Sequence, residues 1–115
     1  MGNRKAARHV SLEEAQGMGP PPDGSLSVPV LSHGTMEARL YSPVEVDLQK
    51  PHDRDEIYVI AQGEAGFFDG DKVVPVRPGS FVFVPAGTPH YFQDLSEGFT
   101  VWVFFYGPKG GEESF

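Results

Sequence analysis

The sequence predicts an all-β domain, a sandwich or barrel of short strands, on three observations. Apolar and polar residues alternate at period two, most clearly where Met36, Ala38 and Leu40 interleave with Glu37, Arg39 and Tyr41. The apolar runs are rich in Val, Ile, Phe and Tyr, which suit a pleated and half-buried surface. The 14 glycines and 11 prolines fall between those runs and form no tracts, so they act as turn punctuation. No amphipathic helix is expected among the strands.

In chain order, residues 1–25 form an arm. Ser11-Leu12-Glu13-Glu14 fits a capping box, with Ser11 and Glu14 reciprocally satisfying free backbone N–H groups. The helix it starts is short, because Gly17, Gly19 and Pro20 to Pro22 end it. Strand candidates then fall at 27–32, 36–41, 44–48, 57–62, 65–68, 72–76, 80–84, 90–94 and 99–106. Asp69-Gly70 predicts a tight hairpin between Phe68 and the Lys72–Val76 run. Phe67, Phe68, Phe81 and Phe83 are expected in the core. Trp102, Phe104, Phe105 and Tyr106 belong to an apolar last strand that fits either the core or a dimer face. One β-barrel domain over 26–108 and a flexible tail over 109–115 complete the organisation.

Composition narrows the function. At 115 residues the chain suits one domain with its own core. The formal charge is −7, and because the first nine residues carry Arg4, Lys5 and Arg8 with no acid, the remainder carries −10. An acidic body offers no footprint for nucleic acid or an anionic membrane. The absence of cysteine excludes disulfides, thiol catalysis and thiolate metal sites. No apolar stretch is long enough to span a bilayer. Residues 10–25 are polar and rich in Gly and Pro, so no signal-peptide core is read there and a cytoplasmic setting is expected. No phosphate-binding Gly-rich loop or Ser-His-Asp arrangement stands out.

Two segments carry candidate chemistry. Gly79 to Asp94 (GSFVFVPAGTPHYFQD) puts His90 beside a strand after a turn at Gly87. Pro51 to Gly63 (PHDRDEIYVIAQG) puts His52 and Glu56 just ahead of another. Two imidazoles and a carboxylate, each fixed beside a strand, can converge on one metal ion. Singly, each has a plainer reading: a hydrogen-bonded strand histidine, a solvated loop histidine, a surface carboxylate paired with Arg54. In an extended strand His52 and Glu56 would stand about 13 Å apart, too far to share an ion. Either the chain turns at Asp53-Arg54-Asp55 or the segment is helical, where i and i+4 meet; Pro51 suits a helix start, but the run Ile57 to Ile60 argues for a turn with a strand beginning at Glu56. Period two then sends Tyr58 and Ile60 to the face of Glu56, and Phe92 to the face of His90. If those faces point inward, a small polar centre has aromatic and aliphatic walls, as ligand cavities do. Arg39 and Tyr41 either reach that cavity as anion and hydroxyl recognition groups or face solvent, the expectation for Arg39 being solvent.

These residues resemble the cupin family. Its second motif runs G, five residues, P, one residue, G, two residues, H, three residues, N; here Gly79, Pro85, Gly87 and His90 match, and Asp94 takes the last position. The first motif runs H-x-H, three or four residues, E, six residues, G; here His52, Glu56 and Gly63 match, and Lys50 stands at the first histidine. PHDRDEIYVI and FVFVPAGTPHYF are also similar to segments of small single-domain bacterial cupins of unassigned function. The resemblance covers roughly residues 27–107 and implies a jelly-roll β-barrel. It also implies one divalent transition metal, Fe, Mn, Ni or Zn, held by His52, Glu56 and His90.

Lysine has three donors and no lone pair while protonated, so Lys50 cannot replace a histidine ligand. Three arrangements remain open: Lys50 points to solvent beside a three-ligand site, Gln49 shifts in with a carbonyl oxygen, or Lys50 turns inward and pairs with Glu56 in place of a metal. Asp94 either supports a ligand by a hydrogen bond or lies at the surface. The resulting expectation is a homodimeric metal-binding cupin with a small organic ligand in a pocket of Lys50, Arg39, Tyr41, Tyr58, Ile60 and Phe92. As an enzyme it would be an oxygenase, isomerase or decarboxylase with Tyr58 as a possible acid or hydrogen-bond donor. The alternatives are a metal-free ligand-binding module and a structural dimer.

Overall fold

The computed structural model describes residues 6–113. It contains one helix and eight strands in two antiparallel sheets. The helix, α1 (Leu12–Gln16), is capped as the sequence predicts: Ser11 Oγ accepts from the Glu14 N–H at 3.0 Å and Glu14 Oε1 accepts from the Ser11 N–H at 3.1 Å. Gly17 ends it, and Ala15 is its buried contact.

The strands are β1 (Ser27–His33), β2 (Met36–Tyr41), β3 (Asp55–Gln62), β4 (Ala65–Phe68), β5 (Val73–Val76), β6 (Phe81–Val84), β7 (Tyr91–Gln93) and β8 (Thr100–Tyr106). One sheet has the order β1-β2-β8-β3-β6, the other β5-β4-β7. Together they form the jelly roll that the sequence predicts. Asp69 closes the β4–β5 hairpin: its carboxylate accepts from the N–H groups of Asp71 and Lys72, both at 2.9 Å.

Register decides what faces the interior. Arg39 and Tyr58 both stand opposite Val103, and Glu56 stands between Phe105 and Val84. Directly opposed residues share a face. Glu37, Arg39, Tyr41, Glu56, Tyr58 and Ile60 therefore belong to the inner face of the larger sheet. Between the sheets Tyr58, Ile60, Phe67, Phe92, Phe99 and Val101 are fully buried. Tyr58 and Phe67 each pack an aromatic edge or tilted face within 5.0–6.2 Å of Phe92 or one another. Gly63 ends β3 with φ 81°, and a Cβ there would come within 2.8 Å of the Phe99 Cα, so backbone conformation and close approach both require glycine.

Several expectations change. Residues 44–48 form no strand. Glu45 turns to φ 66°, and the Val46 N–H closes on the Val44 carbonyl at 2.7 Å. The alternation is real but its faces are inverted: Val44, Val46 and Leu48 are exposed while Asp47 is half-buried. Phe67 lies in the core, but Phe81 is exposed at 66% and Phe83 at 37%, because odd positions of edge strand β6 face away from the second sheet. Arg39 lies inward, not in solvent. Its guanidinium donates to Ser27 Oγ at 2.6 Å, to the Ser27 carbonyl at 3.0 Å and to Glu37 at 3.0 Å. Beyond Gly107 the chain folds back, with the Gly110 N–H on the Asp53 carbonyl at 2.6 Å and the Glu112 N–H on Asp55 Oδ2 at 2.8 Å. Arg4 and Lys5 of the basic arm, and the last two residues of the tail, lie outside the described residues.

Candidate metal centre

Three chain segments meet at one end of the inner face. Strand β3 contributes Glu56 and Tyr58. The loop before it contributes Asp47, Gln49 and His52, and the loop from Pro85 contributes Thr88 and His90. The chain turns between His52 and Glu56, so the 13 Å of an extended segment collapses: His52 Nε2 lies 3.8 Å from Glu56 Oε1. His90 Nε2 lies 2.9 Å from the same oxygen. One potential ligand atom from each of His52, Glu56 and His90 lies within 4.8 Å of the others.

The centre is almost dry. The Glu56 side chain is 1% exposed and that of His90 is 0%, whereas His52 is 33% exposed and forms the link to solvent. Neither carboxylate oxygen of Glu56 has a hydrogen-bond partner among the described residues. The nearest group is His90 Nε2, at ion-pair distance (2.9 Å) from Oε1 and also 2.9 Å from the Tyr58 hydroxyl. A buried carboxylate without donors is costly unless a cation compensates it.

His90 is oriented from behind. Its Nδ1 lies 2.8 Å from the Thr88 carbonyl, which can only accept, so Nδ1 carries a hydrogen. Nε2 is therefore the atom that holds either a second proton or a metal. Burial alone disfavours the imidazolium. The Glu56 carboxylate, the Thr88 carbonyl and the charge of Asp47 outweigh it and raise the His90 pKa above its ordinary value. Burial, reinforced by Glu56, pushes the Tyr58 phenol well up, so it remains a neutral donor. It donates to Gln49 Oε1 at 2.6 Å.

Gln49 is itself fixed. Asp47 accepts from the Gln49 backbone N–H at 3.0 Å and from its Nε2 at 2.7 Å, which turns Oε1 toward Tyr58 and, at 3.4 Å, toward His52 Nε2. Lys50 is exposed on the wall of an adjoining cleft of about 380 Å³. Arg39, Tyr41, Gln49, His52 and Arg54 also line that cleft. Glu37 bridges the two arginines, at 3.0 Å to Arg39 and 2.6 Å to Arg54, and the Arg54 hydrogen bond foremost holds its carboxyl below the usual range.

His52, Glu56, His90 and Tyr58 thus come together. Lys50, Arg39 and Tyr41 lie around the cleft, and Ile60 and Phe92 are packed in the core beneath. Asp94 is exposed at the end of β7 with φ 53°. Sequence reasoning missed Asp47 and Glu37. Asp47 sits in an alternating run whose apolar positions suggested the opposite face. Glu37 carries no signal beyond its place two residues before Arg39.

The sequence profile of the cupin domain family matches residues 40–106. An uncharacterized protein of Streptomyces coelicolor is 43% identical over 63 residues, a match spanning 55% of this chain and 60% of that relative. Among solved structures, a Rhizobium leguminosarum protein of unknown function superposes with a TM-score of 0.73 at 16% identity, over 90% of this chain and all (100%) of that one. A cupin-2 domain protein of Shewanella frigidimarina superposes with a TM-score of 0.66 at 13% identity, covering 85% of this chain and 94% of the other. At these identities the structures report the fold.

Proposed function

We propose that this chain, which belongs to the cupin domain family, binds one divalent transition metal through His52, Glu56 and His90 and takes a small organic ligand in the adjoining cleft. The observation that carries the reading is the Glu56 carboxylate, fully buried with no well-directed hydrogen bond on either oxygen, and with His90 Nε2 at 2.9 Å and His52 Nε2 at 3.8 Å from Oε1. Two histidines and one carboxylate suit Fe(II), Mn(II), Ni(II) or Zn(II). Such an ion supplies Lewis-acid or oxygen-activating chemistry when bound.

The protein's own groups have separable roles. Glu56 balances charge, Thr88 fixes the His90 ring, and Tyr58 keeps a proton at the edge of the site. His52 joins the buried centre to the cleft, where exposed Lys50, beside Arg39 and Arg54 that Glu37 bridges, favours a ligand carrying an anionic or carbonyl group. Isomerisation, decarboxylation and oxygenation of such a ligand all fit these roles. Homodimerisation belongs to the same reading, supported by exposed Phe81 on edge strand β6. Light scattering that gives a single-chain mass at micromolar concentration overturns the dimer.

The test is elemental analysis and calorimetry on tag-free, chelator-treated protein titrated with each of the four ions. One ion per chain is expected, lost in His90→Ala. Failure of all four ions to bind rejects the reading. A metal-free binding module is the second reading, supported by the contact of Tyr58 with His90, which satisfies part of the site without an ion. Saturable binding of small carboxylates by metal-free protein, with no oxygen uptake or turnover in its metal-loaded form, favours that alternative.

A further inference from the structure

The cleft-facing loop carries a glutamine whose amide is held more firmly than a solvent loop requires. Its two nitrogens, backbone N and Nε2, both donate to Asp47, at 3.0 and 2.7 Å. A carboxylate only accepts, so it fixes which end of the amide is nitrogen. The Tyr58 hydroxyl at 2.6 Å from Oε1 agrees with that orientation. Asp47 in turn is anchored in both sheets. The Tyr41 hydroxyl of β2 donates to its Oδ1 at 2.5 Å, and the Phe92 N–H of β7 donates to its Oδ2 at 2.8 Å.

We propose that Gln49 Oε1 is a fourth metal donor at this centre and that Asp47 is its positioning residue. The inference rests on the metal reading of His52, Glu56 and His90. The oxygen lies 3.4 Å from His52 Nε2, on the side of the centre that joins the cleft. Tyr58 uses one of its lone pairs and leaves the other available. A neutral carbonyl oxygen adds a donor without adding charge, and it is compatible with the same first-row ions. Lys50, one residue further on, is exposed and supplies no lone pair while protonated. The chain thus replaces a donor at that position with one from the preceding side chain, which reaches inward because Asp47 bends the loop back onto β7.

The test uses Zn²⁺ affinity by calorimetry and the visible absorption of bound Co²⁺, a readout of coordination number and geometry, on the full chain. Gln49→Leu should lower the metal-free melting temperature, because the buried Tyr58 hydroxyl loses its acceptor, bind Zn²⁺ about tenfold more weakly, by analogy with the loss of a supporting group at a metal site, and shift the Co²⁺ bands in position and intensity. Asp47→Ala should weaken Zn²⁺ binding as Gln49→Leu does, and the double variant should bind no more weakly than Gln49→Leu alone. Wild-type protein that binds Co²⁺ with a spectrum and affinity unchanged in Gln49→Leu overturns the fourth donor and leaves the three-residue site intact. Wild-type protein that binds neither ion removes the metal reading and this inference together.

Discussion

The Gly87 N–H donates to the His52 carbonyl at 2.7 Å, so the loop that carries one imidazole is tied by its backbone to the loop that leads to the other. Gly87 adopts φ 80°, which lets the 85–90 turn present that N–H. A second tie lies alongside. Asp55, 4% exposed, accepts from the Ala86 N–H at 2.9 Å through one oxygen and from the Glu112 N–H at 2.8 Å through the other. Convergence of His52, Glu56 and His90 is therefore built into the backbone and does not depend on an ion to gather them.

Asp55→Ala should test that arrangement. It leaves two partly buried N–H groups without acceptors, at about 1–3 kcal/mol each where water cannot replace the partner. Metal-free protein is expected to lose stability by that order in urea melts. Zn²⁺ affinity should fall as well, although Asp55 is not a ligand, because the spacing of the two loops relaxes. Unchanged affinity in a folded Asp55→Ala protein would show that the Gly87 tie alone holds the centre.

Tyr41 gives a prediction at the alkaline end. Burial first, then the hydrogen bond to Asp47, raises its phenol far above the ordinary value of 10.0, and burial raises Tyr58 likewise. A group with a raised folded pKa contributes stability that is complete below the unfolded value and is lost as pH climbs toward the folded one. Metal-free protein should therefore lose stability above about pH 10, each such tyrosine contributing a slope near 1.4 kcal/mol per pH unit. Tyr41→Phe should cost some stability at pH 7 and make the alkaline slope shallower by about one proton. A slope identical to wild type between pH 10 and 11 would contradict the raised phenol.

Most of the fold was legible because strands leave a local trace. The β4–β5 hairpin was marked by Asp69-Gly70, and β4 falls on its expected residues, 65–68. The helix was marked by Ser11 and Glu14. Misreadings came where local pattern leaves the choice of face open. In 44–48 the alternation of Val44, Val46 and Leu48 suggested a strand, but Asp47 accepts from the Phe92 N–H at 2.8 Å, and that long-range bond decides which face turns inward. Phe81 and Phe83 were expected in the core for their size, yet an edge strand places alternate residues outward whatever they are. For the centre, motif spacing brought out His52, Glu56 and His90, which the structure brings together. The place of Gln49 depends on a contact chain through Asp47 and Tyr41 that spacing does not encode.

His90 sets the acid limit of metal binding. Its pKa is raised above the ordinary 6.5: burial opposes the charge, and Glu56, the Thr88 carbonyl and Asp47 more than compensate. A proton on Nε2 and a metal at the same atom exclude each other. Affinity for Zn²⁺ should therefore begin to fall, on lowering the pH, at a value above 6.5. With one competing proton it should fall about tenfold per pH unit once below that point. Calorimetry between pH 8.5 and 5.5, corrected for buffer ionisation, checks this (about three pH units, hence a wide signal). Affinity that stays flat down to pH 6 would show that His90 Nε2 is not displaced.

Without metal, the same titration makes Glu56→Gln change sign with pH. Below its raised pKa His90 is protonated in the folded protein, and its contact with Glu56 at 2.9 Å is a buried ion pair. That stabilisation is present at low pH and disappears as pH rises through the raised folded value. Removing the carboxylate at pH 5.5 should then destabilise metal-free protein, because it leaves a buried cation without its partner. Once the pH has passed that raised value His90 is neutral and the carboxylate stands buried without a well-directed hydrogen bond on either oxygen; pH 9 is the alkaline point of the comparison. An amide is cheaper to bury than a charge, so Glu56→Gln at that pH should be neutral or stabilising, by up to about 1–3 kcal/mol. Urea melts of chelator-treated protein at the two pH values measure the crossing. Destabilisation of equal size at both would mean that Glu56 has donors the buried geometry lacks, and the case for a cation beside it would lose its foundation.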